Sequence, residues 1–243
     1  MSARITLATA VRVLTQLRHD PRTVLLLLGV PCMLMTILHE LLPAPFFDRY
    51  GGVALGLFPF IVMFVITAVA TLRERVSGTL ERLLAMPPRK LDLLLGYAIA
   101  FGAAALVQAS IASWLALGPL GLDVAGGAVP LLGVAILDGL LGMALGLFVS
   151  AFAATEFQAA QFMPAFVLPQ VLLSGLLGPR ETVTPWLRHV SDVLPLTYAV
   201  DAMQRVSAAP DLTATVWRDL GILAGSCALA LLLGAATLRR RTA

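Results

Sequence analysis

The sequence predicts an all-α, polytopic membrane protein with six transmembrane helices, lying in the bilayer from end to end. Three observations predict it. Of 243 residues, 59% are hydrophobic and only 13% are charged, against roughly 25% charged in a soluble domain. Mean hydropathy is +0.90, so there is more apolar surface than a soluble core of this size can hide, and lipid takes the remainder. The apolar residues also gather into six runs of about one bilayer crossing each, separated by Pro, Gly and Arg breaks.

Residues 1–20 hold three arginines and no continuous apolar core, so they are expected not to form a cleavable signal peptide. Leu7, Ala10, Val11, Leu14 and Leu17 share one face at helical spacing. Thr9, Arg12, Gln16 and His19 share the other. This spacing predicts an amphipathic helix in the membrane interface.

The first span is expected at 23–42, between Asp20-Pro21-Arg22 and Pro43-Ala44-Pro45. The second, 52–72, closes on Arg73-Glu74-Arg75. The third, 93–117, closes on Gly118-Pro119. The fourth is 129–154 and the fifth 157–177, ended by Gly178-Pro179. The sixth, 220–238, stops at Arg239-Arg240-Arg241. Ala153-Ala154-Thr155-Glu156 is read as a tight turn, because one helix over 129–177 would far exceed a bilayer's thickness.

An even number of spans puts both termini on one side. That side holds Arg4, Arg12, Arg18, Arg22, Arg73, Arg75, Arg82, Arg89, Lys90 and the three terminal arginines, twelve of the seventeen basic residues. The positive-inside rule then places both termini in the cytoplasm of a cell that carries the chain in its plasma membrane. The net charge of +3 comes mainly from arginines at span ends. It marks a membrane protein, not a nucleic-acid binder.

Several chemistries are excluded. The single lysine, Lys90, has no glycine pattern before it, so no G-x-x-x-x-G-K-[ST] phosphate loop can form and this chain does not bind ATP that way. His19, His39 and His189 lack metal-ligand spacing. Cys32 and Cys227 lie inside apolar runs and read as small buried hydrophobes. No histidine lies within a span interior to serve a protease serine such as Ser174.

Polar residues inside the spans are Gln108, Asp138, Gln158, Gln161 and Gln170. A carboxylate in hydrocarbon costs about 2.5–3.5 kcal/mol on insertion scales, so Asp138 is expected to face protein or water. It could line a substrate path or bond a neighbouring helix. Gln108 and Gln170 stand under the same two readings. Gly139, Gly142 and Gly146 favour close helix packing around Asp138. Pro164 and Pro169 suggest a bend in the fifth span.

Two loops are informative. In 73–92, Thr79 could cap a short helix with an apolar stripe of Leu80, Leu83 and Leu84, stopped by Pro87-Pro88. Glu74, Arg75, Glu81 and Arg82 give it a balanced charged face. Such a helix, held between two spans on the arginine-rich side, suits docking to a soluble partner. In 178–219, Leu187, Val190 and Leu194 keep helical spacing, Pro195 breaks it, and 196–206 resumes it. Two short half-apolar helices dipping into the outer leaflet are expected.

The run from Leu72-Arg73-Glu74-Arg75-Val76-Ser77-Gly78-Thr79 through Leu80-Glu81-Arg82-Leu83-Leu84-Ala85-Met86-Pro87 resembles the cytoplasmic signature of ATP-binding-cassette type-2 exporter permeases, of the daunorubicin-resistance and nodulation-export kinds. Leu194-Pro195-Leu196-Thr197-Tyr198-Ala199-Val200-Asp201-Ala202 is similar to their second marker, before the last span. The resemblance covers the whole chain, 1–243, as one permease domain. Met86-Pro87-Pro88 departs from the family's usual small polar residue before one proline. The resemblance implies a non-enzymatic transport subunit with no cofactor of its own, two permease subunits forming the transport unit, and ATP bound by separate ATPase subunits. It implies that Glu74, Arg75, Gly78, Thr79, Glu81 and Arg82 couple to that ATPase. The cargo would be a hydrophobic or amphiphilic drug or lipid. A stand-alone channel or secondary transporter is the alternative, but it would need more intramembrane charge than Asp138 and an internal repeat.

Overall fold

The computed structural model describes residues 3–76, 90–178, 180 and 183–237. Among these, every regular element is helical: α1 Ala3–His19, α2 Pro21–Leu41, α3 Ala44–Val76, α4 Lys90–Leu117, α5 Ala128–Val149, α6 Glu156–Leu173, α7 Pro185–Val193, α8 Pro195–Ala208 and α9 Ala214–Thr237. A 3-10 turn, Ser150–Phe152, follows α5.

Among the described residues, five stretches are long and apolar enough to cross a membrane: α2, α3, Asp92–Leu117 of α4, Ala128–Phe152 and α9. The expected fifth span is α6. It has 18 residues and is not among the five, because Glu156, three glutamines and two prolines dilute its apolar character. It stays helical through Pro164 and Pro169.

α3 is the central element. In its most apolar stretch 72% of residues are buried, against 17% for α2 and for α9, so α2 and α9 lie at the outside of the bundle. The glycine face of α5 packs directly on the backbone of α3. A Cβ on Gly142 would stand 2.3 Å from the carbonyl oxygen of Phe60, and one on Gly146 would stand 2.4 Å from that of Phe64. Only hydrogen fits there, and the backbones meet directly. Gly139 faces α4 instead, opposite Ala105.

Several boundaries move from the sequence reading. The helix of the second span, α3, begins at 44, not 52, because the Pro43 carbonyl already accepts from Phe46 and Phe47 and Phe47 is buried. The last begins at 214, not 220, with Thr213 accepting the first amides. The turn between α5 and α6 is present. Ala153 is extended, and Thr155 caps α6 by accepting from the amide of Gln158.

α1 turns a different face inward from the one its leucines suggest. Leu7 and Val11 are exposed, while Thr6, Thr9, Ala10 and Val13 are buried. The reason is Gly96 on α4, where a Cβ would come within 2.6 Å of Thr9 Cβ. That close seat takes small threonines, and it swings Arg12 towards α3. Leu14 and Leu17 remain partly buried.

The two short helices before α9 are present but differ in setting. α8 is inserted into the bundle, with Leu196, Thr197, Ala199, Val200, Ala202 and Met203 buried. α7 lies outside, with Trp186, Val190 and Val193 exposed.

Candidate functional site

The last turn of α3 carries Arg73-Glu74-Arg75. Successive helical residues point about 100° apart, so three in a row aim at three different neighbours. Each finds a partner.

Glu74 points to α1 and α4. Arg12 donates to both of its oxygens, at 3.1 and 3.0 Å, and also to the Tyr97 hydroxyl at 3.2 Å. The Tyr97 hydroxyl in turn donates to Glu74. The cluster is partly buried, which strengthens a two-pronged guanidinium–carboxylate pair. Arg73 points the other way. It holds Glu156, the first residue of α6, through bonds of 2.7 and 2.9 Å. It also stands 3.9 Å from Asp20 at the α1–α2 junction. Glu156 is thereby held below the usual carboxylate range, chiefly by its hydrogen bond from Arg73. Asp20 is also held low, first by the Thr23 hydroxyl and then by the Thr23 amide, with Arg73 a smaller influence. Arg75 donates to the carbonyl of Ser150 at 2.7 Å, where α5 ends. A cation is favourable at that negative end of a helix.

These contacts join α3 to α1, α4, α5 and α6 at one level, immediately before residues 77–89. Of the sequence-predicted coupling residues, Glu74 and Arg75 are in this junction. Gly78, Thr79, Glu81 and Arg82 lie outside the described residues. Sequence reasoning missed Arg12, Asp20, Tyr97 and Glu156. Helical spacing puts Arg12 on the polar face of an interfacial helix, and no local pattern points to Tyr97.

The intramembrane polar residues do not gather into one site. Gln108 Nε2 donates to the Leu27 carbonyl at 2.8 Å. Pro31, four residues after Leu27 in α2, has no N–H to offer that carbonyl, so Gln108 supplies the missing donor across helices. Gln170 works in a similar way at the far end. Its Oε1 accepts from the Leu196 amide at 3.4 Å, one of the free amides at the start of α8, and its Nε2 donates to Phe166 within α6. Each makes one hydrogen bond from its own helix to a neighbouring one. Asp138 is fully buried, and neither carboxylate oxygen has a hydrogen-bond partner among the described residues. The interhelical bond allowed by the sequence reading is not formed. A Cβ at Gly56 of α3 would lie 3.4 Å from Asp138 Oδ2 and 1.8 Å from the Met203 methyl, so α3 and α8 close over this carboxyl.

The second sequence marker forms a hinge-like knot. Ser191 Oγ donates to the Leu173 carbonyl at 2.8 Å, Thr197 Oγ1 donates to the Ser191 carbonyl at 2.9 Å, and the Tyr198 hydroxyl donates to the Asp192 carbonyl at 2.6 Å. Together they tie the end of α6 to the α7–α8 corner.

Residues 6–206 match the family described as ABC-2 type transporter. The chain is 26% identical over 160 residues to the probable multidrug ABC transporter permease YbhR of Escherichia coli K12, covering 66% of this chain and 44% of that protein. It is 30% identical over 145 residues to the E. coli inner membrane transport permease YhhJ, covering 58% and 38%. To ABC transporter G family member 20 of Dictyostelium discoideum it is 28% identical over 141 residues, covering 58% and 19%. In each case the match spans less than half of the relative's length.

Proposed function

From the premise that this chain belongs to the ABC-2 type transporter family, we propose that it is the permease subunit of an ATP-driven exporter. It would move a hydrophobic or amphiphilic cargo through a cleft between two permease subunits. Separate ATPase subunits would bind the ATP, and this chain would need no cofactor of its own. The proposal includes six crossings, with α6 as the fifth, and both termini in the cytoplasm of a plasma-membrane protein. It is supported by the positive-inside rule, since six crossings would put twelve of the seventeen basic residues on the side of the termini, and by relatives named as permeases.

The observation that carries the mechanism is the Arg73-Glu74-Arg75 junction. A pull on residues 77–89 by closing ATPase subunits would act first on the end of α3. There it would meet ion pairs and hydrogen bonds to α1, α4, α5 and α6, so the bundle would respond as a unit and not at one helix alone. On this reading Glu74 and Arg75 transmit the movement inside the membrane domain, while Gly78, Thr79, Glu81 and Arg82 meet the ATPase.

Cysteine cross-linking from positions 81 and 82 to the co-expressed ATPase tests the reading, with transport measured in parallel. Cross-links are expected at both positions. Glu81→Lys and Arg82→Glu are expected to lose transport and coupled ATP turnover together while membrane insertion stays normal, because like charges at an interface weaken docking. Full transport by both reversed variants, without any cross-link, would sink the proposal.

A further inference from the structure

We infer that the arginine-rich end of the bundle holds a binding site for a zwitterionic, single-tailed amphiphile, seated in a slot between α1, α2, α3 and α4. The inference goes beyond the permease reading and needs neither an ATPase nor transport to be correct.

The slot has a volume of about 350 Å³, within the range of roughly 300–1,000 Å³ of small-molecule sites. Its two ends differ in chemistry. The inner part is hydrocarbon, made by Leu26, Val65, Ile66, Val69, Ala70 and Phe101. The mouth carries Gln16, Asp20, Arg73 and Glu74. Lipid alone would require no charge at such a groove, and a soluble ligand would require no hydrocarbon floor. An amphiphile uses both.

The mouth also selects the head. Arg73 offers the Nη1 end of a guanidinium whose Nε and Nη2 hold Glu156, and Nη1 stands 3.9 Å from Asp20 Oδ2. About half of the Arg73 side chain and over a third of that of Asp20 are exposed, so both can be reached. A purely anionic head would face Asp20, beside Glu74, which Arg12 already holds, and Glu156, which Arg73 already holds; a purely cationic one would face Arg73. A head with a phosphate and an ammonium a few ångströms apart meets both charges. The phosphate would lie on the guanidinium, a strong charge-assisted geometry, with the ammonium on Asp20. A phosphoethanolamine head carries this pattern. In the orientation proposed above, the mouth sits at the headgroup level of the cytoplasmic leaflet.

The position has a consequence for coupling. The residue that would take the phosphate is also the one that holds Glu156 and faces Asp20. An occupant therefore shares Arg73 with the bonds that tie α3 to α6.

The test uses the full-length chain in detergent without nucleotide. The probe is lysophosphatidylethanolamine carrying a diazirine near the end of its acyl chain. A diazirine-bearing monoacylglycerol serves as the neutral-head comparison. Photolabelling is expected to concentrate on peptides containing Val65–Ala70 and Phe101, and to be several-fold stronger with the zwitterionic probe. Val69→Trp and Leu26→Trp fill the slot from two different helices. Each is expected to reduce labelling at least tenfold in whichever variant elutes as folded, monodisperse protein. Arg73→Gln is expected to erase the preference between the two heads. Equal labelling of the exposed α9 residues Leu229 and Leu232, unchanged by either tryptophan, would show ordinary annular lipid and overturn the inference. Equal labelling of the slot by both probes in the parent chain would overturn the head assignment.

Discussion

Arg12 and Glu74, 62 residues apart in the chain, meet through two guanidinium–carboxylate hydrogen bonds of 3.1 and 3.0 Å. This pair fastens the N-terminal helix to the last turn of α3, immediately before residues 77–89.

Removing either partner takes both guanidinium–carboxylate bonds from the other, which is partly buried. Charge-assisted hydrogen bonds contribute about 1.5–3 kcal/mol, and partial exposure reduces this to about 1 kcal/mol here. Arg12→Ala is expected to lower thermal stability in detergent by that amount. Arg12→Glu combined with Glu74→Arg is expected to recover part of it. A double swap no more stable than the sum of its single changes would show that packing, not the charge pair, holds α1.

Gln108 and Pro31 make a testable pair, because Gln108 supplies the donor that Pro31 withholds from Leu27. Gln108→Leu is expected to cost about 1–3 kcal/mol, the penalty for a buried carbonyl left without a partner. In a Pro31→Ala background, residue 31 gains an N–H for the Leu27 carbonyl, and the same change is expected to cost markedly less. Equal costs in both backgrounds, measured as a double-mutant cycle of thermal stability, would refute the account.

The glycines of α5 are expected to fall into two classes. At Gly142 and Gly146 an added methyl group strikes α3 backbone, which cannot yield as a side-chain tip can. Gly142→Ala and Gly146→Ala should sharply reduce the recovery of folded protein. At Gly133 a Cβ meets nothing within 4 Å, and Gly133→Ala should be neutral or slightly stabilising, since alanine favours helix. Recovery after purification, followed by size-exclusion chromatography, separates the two classes.

Acid should loosen the Arg73 junction. Glu156 is held below its ordinary value by Arg73, so its folded-state pKa lies below the unfolded one. Its contribution is fully present above the ordinary glutamate value, about 4.3. It fades as pH falls through the lowered value. Thermal stability measured from pH 7 downwards should decline below that point, and Glu156→Gln should show a shallower decline. The effect is small, because both side chains are about half exposed.

How much was legible in the sequence depends on the range of the interaction. The helices were legible, because apolar runs of bilayer length and their Pro, Gly and Arg breaks are local properties. So was the glycine face of α5, since small residues at helical spacing permit close approach whichever helix approaches. The turn at 153–156 and the two short helices before α9 were legible for similar reasons. The sequence also set Arg73, Glu74 and Arg75 side by side, and with them the three directions in which they point.

What they point at was decided by tertiary structure alone. Arg12 falls on the polar face by periodicity, yet it turns inward because Gly96 seats the threonine side of α1. Tyr97 and Glu156 acquire roles from partners 23 and 83 positions away. Gln108 reads as a polar residue in a span until packing brings it to the carbonyl that Pro31 leaves free. Asp138 was open to an interhelical bond, and only the closure of α3 and α8 around it leaves both of its oxygens without a hydrogen-bond partner among the described residues. The periodicity of one helix tells which residues share a face. Which neighbour that face meets depends on the close approaches that glycines permit and on the buried polar groups that must be matched, and these are properties of the assembled bundle.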